Sequence, residues 1–145
     1  MLRTLSLILA TGLWAGAAFA TGLPVVDVYK RPTCGCCNDW IAHLKAHGFS
    51  VRAHDTDAVV KHKVRLGVPT GHGSCHTAEV AGYVVEGHVP AHEIKRLLKE
   101  KPAARGLVVP GMPIGAPGME RGDRKDAYEV LLITRKGDTR VFAND

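Results

Sequence analysis

The sequence predicts an α/β fold, and three observations lead to this class. Apolar, β-branched runs alternate with segments of helical periodicity along most of the chain. Glycine or proline ends most of these segments. Three of the four cysteines fall within Cys34-Gly35-Cys36-Cys37, between the first predicted strand and the first predicted helix.

The predicted elements follow one another as strand, helix, strand, helix, strand, helix. The strands cover residues 25–30, 49–54 and 79–85, and the helices cover residues 36–47, 57–66 and 90–101. In the first helix, Cys37, Trp40, Ile41 and Leu44 share one face at i, i+3, i+4 and i+7. Gly48 is the stop signal at the end of this helix. This order, with a thiol motif directly after the first strand, predicts a thioredoxin-like three-layer domain.

A different composition begins after the third helix. Residues 110–119 are rich in glycine and proline and are predicted to form a loop, which we call the methionine loop because it contains Met112 and Met119. Residues 128–134 and 139–142 are predicted to form a β-hairpin. We therefore expect a C-terminal extension, starting near residue 106, that consists of the methionine loop and this hairpin.

The N-terminus predicts export. Arg3 precedes an apolar run from Leu5 to Leu13, and Ala18-Phe19-Ala20 fits a cleavage site. We predict a signal peptide over residues 1–20 and a single domain over residues 21–145; the alternative is an uncleaved N-terminal anchor. The apolar run is short for a membrane span, so no membrane association is expected after cleavage.

The charge pattern does not favour a nucleic-acid partner. The formal net charge is +5, or +4 without the signal peptide, and basic residues are interleaved with acidic ones. The densest basic stretch contains Lys61, Lys63 and Arg65, which we interpret as a solvated helix face. Export also argues against nucleic-acid binding, so none is expected.

The cysteine pattern indicates redox or soft-metal chemistry. Cys34 and Cys37 form a C-x-x-C motif at a helix start, where the first thiol attacks and the second, buried thiol resolves. The unpaired N–H groups and partial positive charge of a helix start favour thiolate over thiol. Cys36 is one thiol more than a dithiol exchanger needs, and soft thiolates favour Cu(I) or zinc. The structural alternative is two disulfides, Cys34–Cys37 and Cys36–Cys75.

Further soft donors lie far along the chain. Cys75 precedes the third predicted strand, and the thioredoxin-like fold would bring that loop next to the C-x-x-C motif. Met112 and Met119 sit in a glycine- and proline-rich loop, where they are poorly placed for a helix or strand core. Both the usual gap-filling role of methionine and thioether ligation of Cu(I) stay open for them.

The histidines are weaker candidates. His76, next to the downstream cysteine, is the strongest, followed by His72 and His88. His43 and His47 are spaced i, i+4 and either clamp a metal or form a solvent-exposed helix face; we favour the exposed face. The others are predicted at the surface: His54, His62 and His92.

Four stretches carry a family resemblance. They are Pro32-Thr33-Cys34-Gly35-Cys36-Cys37, Ser74-Cys75-His76-Thr77, residues 82–90 and residues 109–120. With them, nearly all of residues 25–143 resembles the CopG-type copper-resistance proteins of Gram-negative bacteria, long classed as a family of unknown function.

The resemblance implies a periplasmic thioredoxin-like domain whose C-terminal extension helps to bind copper. The family's cysteines fall on Cys34, Cys36, Cys37 and Cys75, and its loop methionines fall on Met112 and Met119. One local departure is the glycine-rich Thr70-Gly71-His72-Gly73, which places a histidine before the downstream cysteine.

The preferred hypothesis is a periplasmic copper-binding protein for copper resistance that couples thiol–disulfide chemistry at Cys34 and Cys37 to interconversion of Cu(I) and Cu(II). The predicted copper ligands are Cys34, Cys36, Cys37, Cys75, Met112 and Met119, with His76 as a lesser candidate. The alternatives are a thiol–disulfide oxidoreductase that uses Cys34 and Cys37, a copper chaperone without redox turnover, and a zinc protein; whether the protein is an enzyme stays open. A monomer is expected, with copper ions and a periplasmic copper efflux or chaperone protein as partners.

Overall fold

One seven-stranded mixed sheet and three helices make up the part of the chain that the structure describes. The structure is a computed structural model that describes residues 22–145, so the predicted signal peptide lies outside the described residues. The helices are α1 Gly35–Ala46, α2 Val59–Leu66 and α3 Ala91–Glu100. The strands are β1 Val26–Lys30, β2 Val51–Asp55, β3 Thr77–Val80, β4 Tyr83–Glu86, β5 Ala104–Val108, β6 Glu129–Thr134 and β7 Thr139–Asn144. The α/β class predicted from the sequence is confirmed.

The strand order in the sheet is β2-β1-β3-β4-β5-β6-β7. β1 runs parallel to β2, and β4 runs parallel to β5, whereas the other four neighbouring pairs are antiparallel. The parallel pair β1–β2 is joined through α1. The turn that leads from β1 into α1 therefore lies at the carboxyl end of a strand with hydrogen-bonded neighbours on both sides.

The helices cover both faces of the sheet. Successive residues of a strand point to opposite faces, and Val84 and Val85 of β4 belong to two different apolar clusters. The larger cluster contains buried side chains of α1 and α3, including Trp40 and Ile94. Leu66 of α2 packs against the smaller one. The arrangement is therefore α1 and α3, then the sheet, then α2.

The structure corrects the third predicted strand. Residues 79–85 form parts of two antiparallel strands, β3 and β4, joined by Ala81 and Gly82. Both of these residues have positive φ, 48° and 82°, as a two-residue hairpin turn requires. Because Val80, Ala81, Tyr83 and the valines that follow read as one apolar run, the sequence pattern does not reveal this reversal.

Strand β5 was not predicted, although it lies between β4 and β6. Its central Gly106 faces the backbone of β4, where a Cβ would lie 1.8 Å from the Val84 carbonyl oxygen. A glycine is therefore required for this close pairing, yet glycine is usually a strand breaker in a sequence. The hairpin of the C-terminal extension is confirmed as β6 and β7, which pair antiparallel around Gly137.

None of the helices over residues 22–145 combines the length and the apolar character that crossing a membrane demands.

Candidate metal centre

The turn between β1 and α1 presents three cysteines. The Cys34 N–H donates to the Arg31 carbonyl oxygen at 3.1 Å, which closes the turn, and Cys34 is the N-cap residue of α1. Cys34 and Cys36 are partly exposed, whereas Cys37 is buried beside Trp40 on the inner face of the helix. The first turn of α1 contains no acidic residue that would oppose the partial positive charge of the helix start.

The loop before β3 brings the fourth cysteine. Its backbone is held by Glu86 of β4, whose carboxylate accepts a hydrogen bond from the Ser74 N–H at 2.6 Å. The same carboxylate pairs with the Lys63 ammonium of α2, which also donates to the His76 carbonyl oxygen at 3.1 Å. Glu86 is fully buried, so this ion pair ties the loop of Cys75 to both β4 and α2.

All four cysteines converge. The Cys75 sulfur lies 3.7 Å from the Cys36 sulfur and 3.6 Å from the Cys37 sulfur, and the Cys34 and Cys36 sulfurs lie 3.6 Å apart. Cys34 and Cys37 form a disulfide, whereas Cys36 and Cys75 are free thiols. The four sulfurs lie within 4.8 Å of one another, and we call them the cysteine cluster. Of the two disulfides considered from the sequence, only the C-x-x-C disulfide is formed.

The spacing of the cysteine cluster suits a metal ion. Donors that each lie about 2.0–2.3 Å from one ion are separated from each other by roughly 3–4 Å. The sulfur separations of 3.6 and 3.7 Å fall in this range. Reduction of the Cys34–Cys37 disulfide would make all four sulfurs available as thiolates.

The Cys75 thiol is a weaker acid than an ordinary cysteine thiol. Burial, together with the charge and hydrogen bond of the neighbouring Cys36 sulfur, raises the pKa of Cys75 from 9.0 to about 11. Cys75 is therefore a neutral thiol near pH 7, and a bound metal must displace its proton.

Two buried histidines contact Cys75. The His88 Nε2 atom lies 3.1 Å and the His76 Nδ1 atom 3.3 Å from the Cys75 sulfur, and neither histidine has exposed surface. Burial lowers the pKa of His88. Burial, together with electrostatic repulsion of a protonated His76 by the neighbouring His88 and Lys63, holds the pKa of His76 well below its ordinary value. Both rings are therefore neutral near pH 7.

The methionine loop lies across this region. The Ser74 hydroxyl donates to the Gly111 carbonyl oxygen at 2.5 Å, and His88 Nδ1 donates to the Pro117 carbonyl oxygen at 2.8 Å. Gly118 packs on the start of α1, where a Cβ would lie 2.9 Å from the Cys36 carbonyl oxygen. The backbone neighbours of Met112 and Met119 thus contact both cysteine-bearing segments. Ligation by the two thioethers stays a prediction.

The remaining histidines lie elsewhere. His72, which lies within the glycine-rich departure noted in the sequence, forms hydrogen bonds with Thr70 and Thr139. His43 is half-buried, and its Nε2 atom accepts the Ala91 N–H at 3.1 Å, which satisfies a free donor at the start of α3. The interpretation of His43 as a solvent-exposed residue is therefore wrong.

His88, a weak candidate in the sequence, contacts the Cys75 sulfur in the structure. It lies 13 positions from Cys75 at the end of a strand, and no motif links the two. The one available signal was Gly87-His88-Val89-Pro90, which places a histidine directly after the strand that pairs with β3. That signal becomes useful only once β3 and β4 are recognised as a hairpin.

Comparisons with known proteins give a consistent result. A family model described as a protein of unknown function, DUF411, matches residues 72–119. Two solved structures, both entitled copper resistance protein CopG and labelled form 1 and form 2, are 50% identical to this chain. Each alignment covers 85% of this chain and 98% of that chain, with TM-scores of 0.80 and 0.81. The chain has no match among curated proteins.

Proposed function

Because the chain belongs to the CopG family of copper resistance proteins, we propose that it binds copper at the cysteine cluster and couples this binding to thiol–disulfide chemistry. The observation that carries the proposal is the convergence of all four cysteine sulfurs at one point of the fold. Thiolate is a soft ligand that favours Cu(I). A set of four thiolates would therefore retain copper as Cu(I).

Neighbouring cysteines favour more than one copper ion. Cys36 and Cys37 diverge by about 100° around α1, since the helix has 3.6 residues per turn. Their thiolates leave the helix in different directions, so the two can bind different ions of a group that the other thiolates bridge. The partly exposed Cys36 and the buried Cys37 are in keeping with this divergence.

The Cys34–Cys37 disulfide supplies the redox partner. Its reduction to two thiolates takes up two electrons, which two Cu(I) ions supply as they become two Cu(II) ions. In the reverse direction two thiolates lose two electrons, the disulfide forms and two Cu(II) ions become Cu(I). Copper interconversion thus changes the number of thiolates in the cysteine cluster from four to two.

The wider architecture of the proposal is thioredoxin-like. The element order β1-α1-β2-α2-β3-β4-α3, the C-x-x-C disulfide at the start of α1 and the helices on both faces support this assignment. The strands β5, β6 and β7 and the methionine loop then form the extension, whose Met112 and Met119 add thioether ligands. We further propose a monomer that acts in the periplasm of a Gram-negative bacterium after cleavage of residues 1–20 and exchanges copper with an efflux or chaperone protein.

A cleft beside Cys34 supports thiol–disulfide exchange as a second candidate function. It has a volume of about 260 Å³, and Cys34, Cys75, Arg31 and Lys63 contribute to its lining. A substrate disulfide in this cleft would reach the Cys34 thiolate of the reduced protein, and Cys37 would then resolve the mixed disulfide. This function predicts catalysed reduction of insulin or glutathione disulfide that survives Cys36→Ser and the loss of Met112.

Cu(II) added without oxygen to the fully reduced protein separates these functions. The proposal predicts one disulfide for every two Cu(I) ions formed, measured by mass spectrometry of alkylated thiols and by a Cu(I)-specific chelator. Cys37→Ser should abolish the disulfide, whereas His47→Gln, an exposed residue on the same helix, should change neither yield. Copper uptake without disulfide formation would instead indicate a chaperone, and zinc in protein expressed without added copper would indicate a zinc site.

A further inference from the structure

Two groups of metal-binding side chains share the Cys75 sulfur. One is the cysteine cluster, and the other consists of Cys75, His76 and His88, whose donor atoms also lie within 4.8 Å of one another. The second group contains no member of the Cys34–Cys37 disulfide. Its three donors therefore stay in place whether that disulfide is open or closed.

The methionine loop orients the His88 ring so that it can bind a metal through its Nε2 atom. The Pro117 carbonyl oxygen can only accept a hydrogen bond, so the Nδ1 atom of His88 must carry the hydrogen of their 2.8 Å contact. In the neutral ring the lone pair then lies on Nε2, the atom that faces the Cys75 sulfur at 3.1 Å. A carbonyl behind an imidazole is a common way of fixing a metal-binding tautomer.

His76 is held in place from the other side. Its ring packs against Trp40 with centroids 4.3 Å apart, and its Nδ1 atom faces the Cys75 sulfur at 3.3 Å. The Trp40 indole N–H donates to the Val89 carbonyl oxygen at 2.9 Å, which fixes the surface on which His76 rests. The His76 Nε2 atom is buried and has no partner.

We propose that Cys75, His76 and His88 form a second copper position, which shares the Cys75 sulfur with the cysteine cluster and holds Cu(II). Two imidazole nitrogens and one thiolate are the donor set of protein sites that stabilise Cu(II) beside a thiolate, and a weak thioether often completes them. The inference rests on the proposed function. It adds a separate place for the oxidised ion and assigns a ligand role to His88.

The second position places the oxidised ion beside the thiols that reduce it. Two Cu(II) ions become Cu(I) as the thiolates of Cys34 and Cys37 lose two electrons and form their disulfide. The group of Cys75, His76 and His88 loses no donor in this step. Cu(II) that binds there displaces the Cys75 thiol proton to solvent, and the bridging sulfur keeps the ion next to the thiols that exchange electrons with it.

The test is to add one equivalent of Cu(II) to the protein with the Cys34–Cys37 disulfide formed, and to record its paramagnetic resonance and visible spectra. We expect a thiolate-to-Cu(II) charge-transfer band and nitrogen hyperfine coupling, and the coupling should change when the protein carries histidine labelled with the heavy nitrogen isotope. Cu(II) bound to the wild-type protein without histidine nitrogen coupling overturns the inference, whatever the variants do.

Three variants assign the donors. His88→Gln should abolish the charge-transfer band and weaken Cu(II) binding by about tenfold or more, but leave Cu(I) uptake by the reduced thiols unchanged. Cys36→Ser should weaken Cu(I) uptake by the reduced thiols but leave the charge-transfer band and the Cu(II) affinity unchanged, because it removes a sulfur from the cysteine cluster alone. His47→Gln is the matched control, since this histidine is exposed and lies outside both groups.

The outcomes separate this inference from the proposed function. An unchanged Cu(II) spectrum and affinity in His88→Gln overturns the second position while leaving copper binding by the thiols intact. Absence of Cu(I) uptake in the reduced wild-type protein defeats the proposed function and the inference together. His76→Gln should repeat the spectral loss of His88→Gln, so the assignment does not depend on one variant.

Discussion

The sulfurs of Cys37 and Cys75 lie 3.6 Å apart although 38 positions separate the two residues in the chain. Cys37 arrives from the first turn of α1, and Cys75 arrives from the loop before β3, which pairs with β1. Because β1 and β3 are neighbours in the sheet, the end of one strand meets the start of the other. This pairing creates the cysteine cluster.

The raised pKa of Cys75 predicts how its reactivity depends on pH. Its alkylation rate, read from the peptide that contains Cys75, should keep rising up to about pH 11, because the reactive thiolate forms only there. Cys36→Ser removes the neighbouring sulfur that helps to raise this pKa, so the rate should then level off at lower pH. A wild-type rate that already levels off near the ordinary value of 9.0 would contradict this account.

The buried ion pair between Lys63 and Glu86 predicts a large effect on stability. Lys63→Met would leave the Glu86 carboxylate unpaired and fully buried, and its Oε2 atom already has no partner. Breaking such a pair costs about 3–5 kcal/mol of unfolding free energy. Urea denaturation measures this loss, and the affinity for Cu(I) should fall as well, because Glu86 holds the loop of Cys75.

Arg65→Met is the matched control for Lys63. Arg65 lies two positions further along α2 and pairs with Glu79 at the surface, where a single pair contributes only about 0–1 kcal/mol. Equal losses of unfolding free energy in the two variants would show that the burial of Glu86 does not increase the contribution of its ion pair to stability.

Much of the fold could be predicted from local pattern. The faces of α1 and α3 follow helical periodicity, and the final hairpin follows two alternating runs around Gly137. The division of residues 79–85 into β3 and β4 could not be predicted, since Ala81 adopts positive φ only because the hairpin requires it. Gly106 in β5 is similar: its need for glycine comes from the Val84 backbone across the sheet.

The candidate site could also be predicted only in part from the sequence. The spacing of Cys34, Cys36 and Cys37 alone identifies a thiol site, and a fold assignment adds Cys75. His88 depends on tertiary contacts, since its Nε2 atom meets Cys75 and its Nδ1 atom meets Pro117 of the methionine loop. Neither contact has a counterpart in sequence spacing.

The contact between the methionine loop and α1 predicts the effect of a single methyl group. Gly118→Ala would place a Cβ 2.7 Å from the Trp40 backbone nitrogen at a φ of +82°. The loop must then shift away from α1, so the affinity for Cu(I) should fall several-fold, as competition with a Cu(I) chelator would measure. The strain at positive φ also lowers the unfolding free energy, by about 1 kcal/mol.

Gly137→Ala controls for backbone strain without the clash. Gly137 has a φ of +96° in the final hairpin and has open space around it. The Gly137→Ala variant should lose about as much unfolding free energy as Gly118→Ala does through strain, but it should keep its copper affinity. Loss of copper affinity in both variants would mean that the loop contact is not the cause.

The neutral His76 predicts acid sensitivity. Its pKa is well below the ordinary value of 6.5 in the folded protein, so the unfolded chain takes up a proton first as the pH falls. Stability from this residue is therefore present above about pH 6.5 and is lost below it. The urea concentration at the midpoint of unfolding should decrease as the pH is lowered from about 7.5 to about 5.5. His76→Gln should flatten that dependence, and a slope as steep as that of His47→Gln would contradict the prediction.

Anaerobic titration of the fully reduced protein with Cu(I), with bound copper counted against a competing chelator, tests the central claim most directly. If the four cysteines act as one centre, the double variant Cys36→Ser, Cys75→Ser should lose most of its bound copper, whereas His47→Gln should keep all of it. Undiminished copper binding by the double variant would contradict the account, because the convergence of the cysteine sulfurs would then have no role in holding the metal.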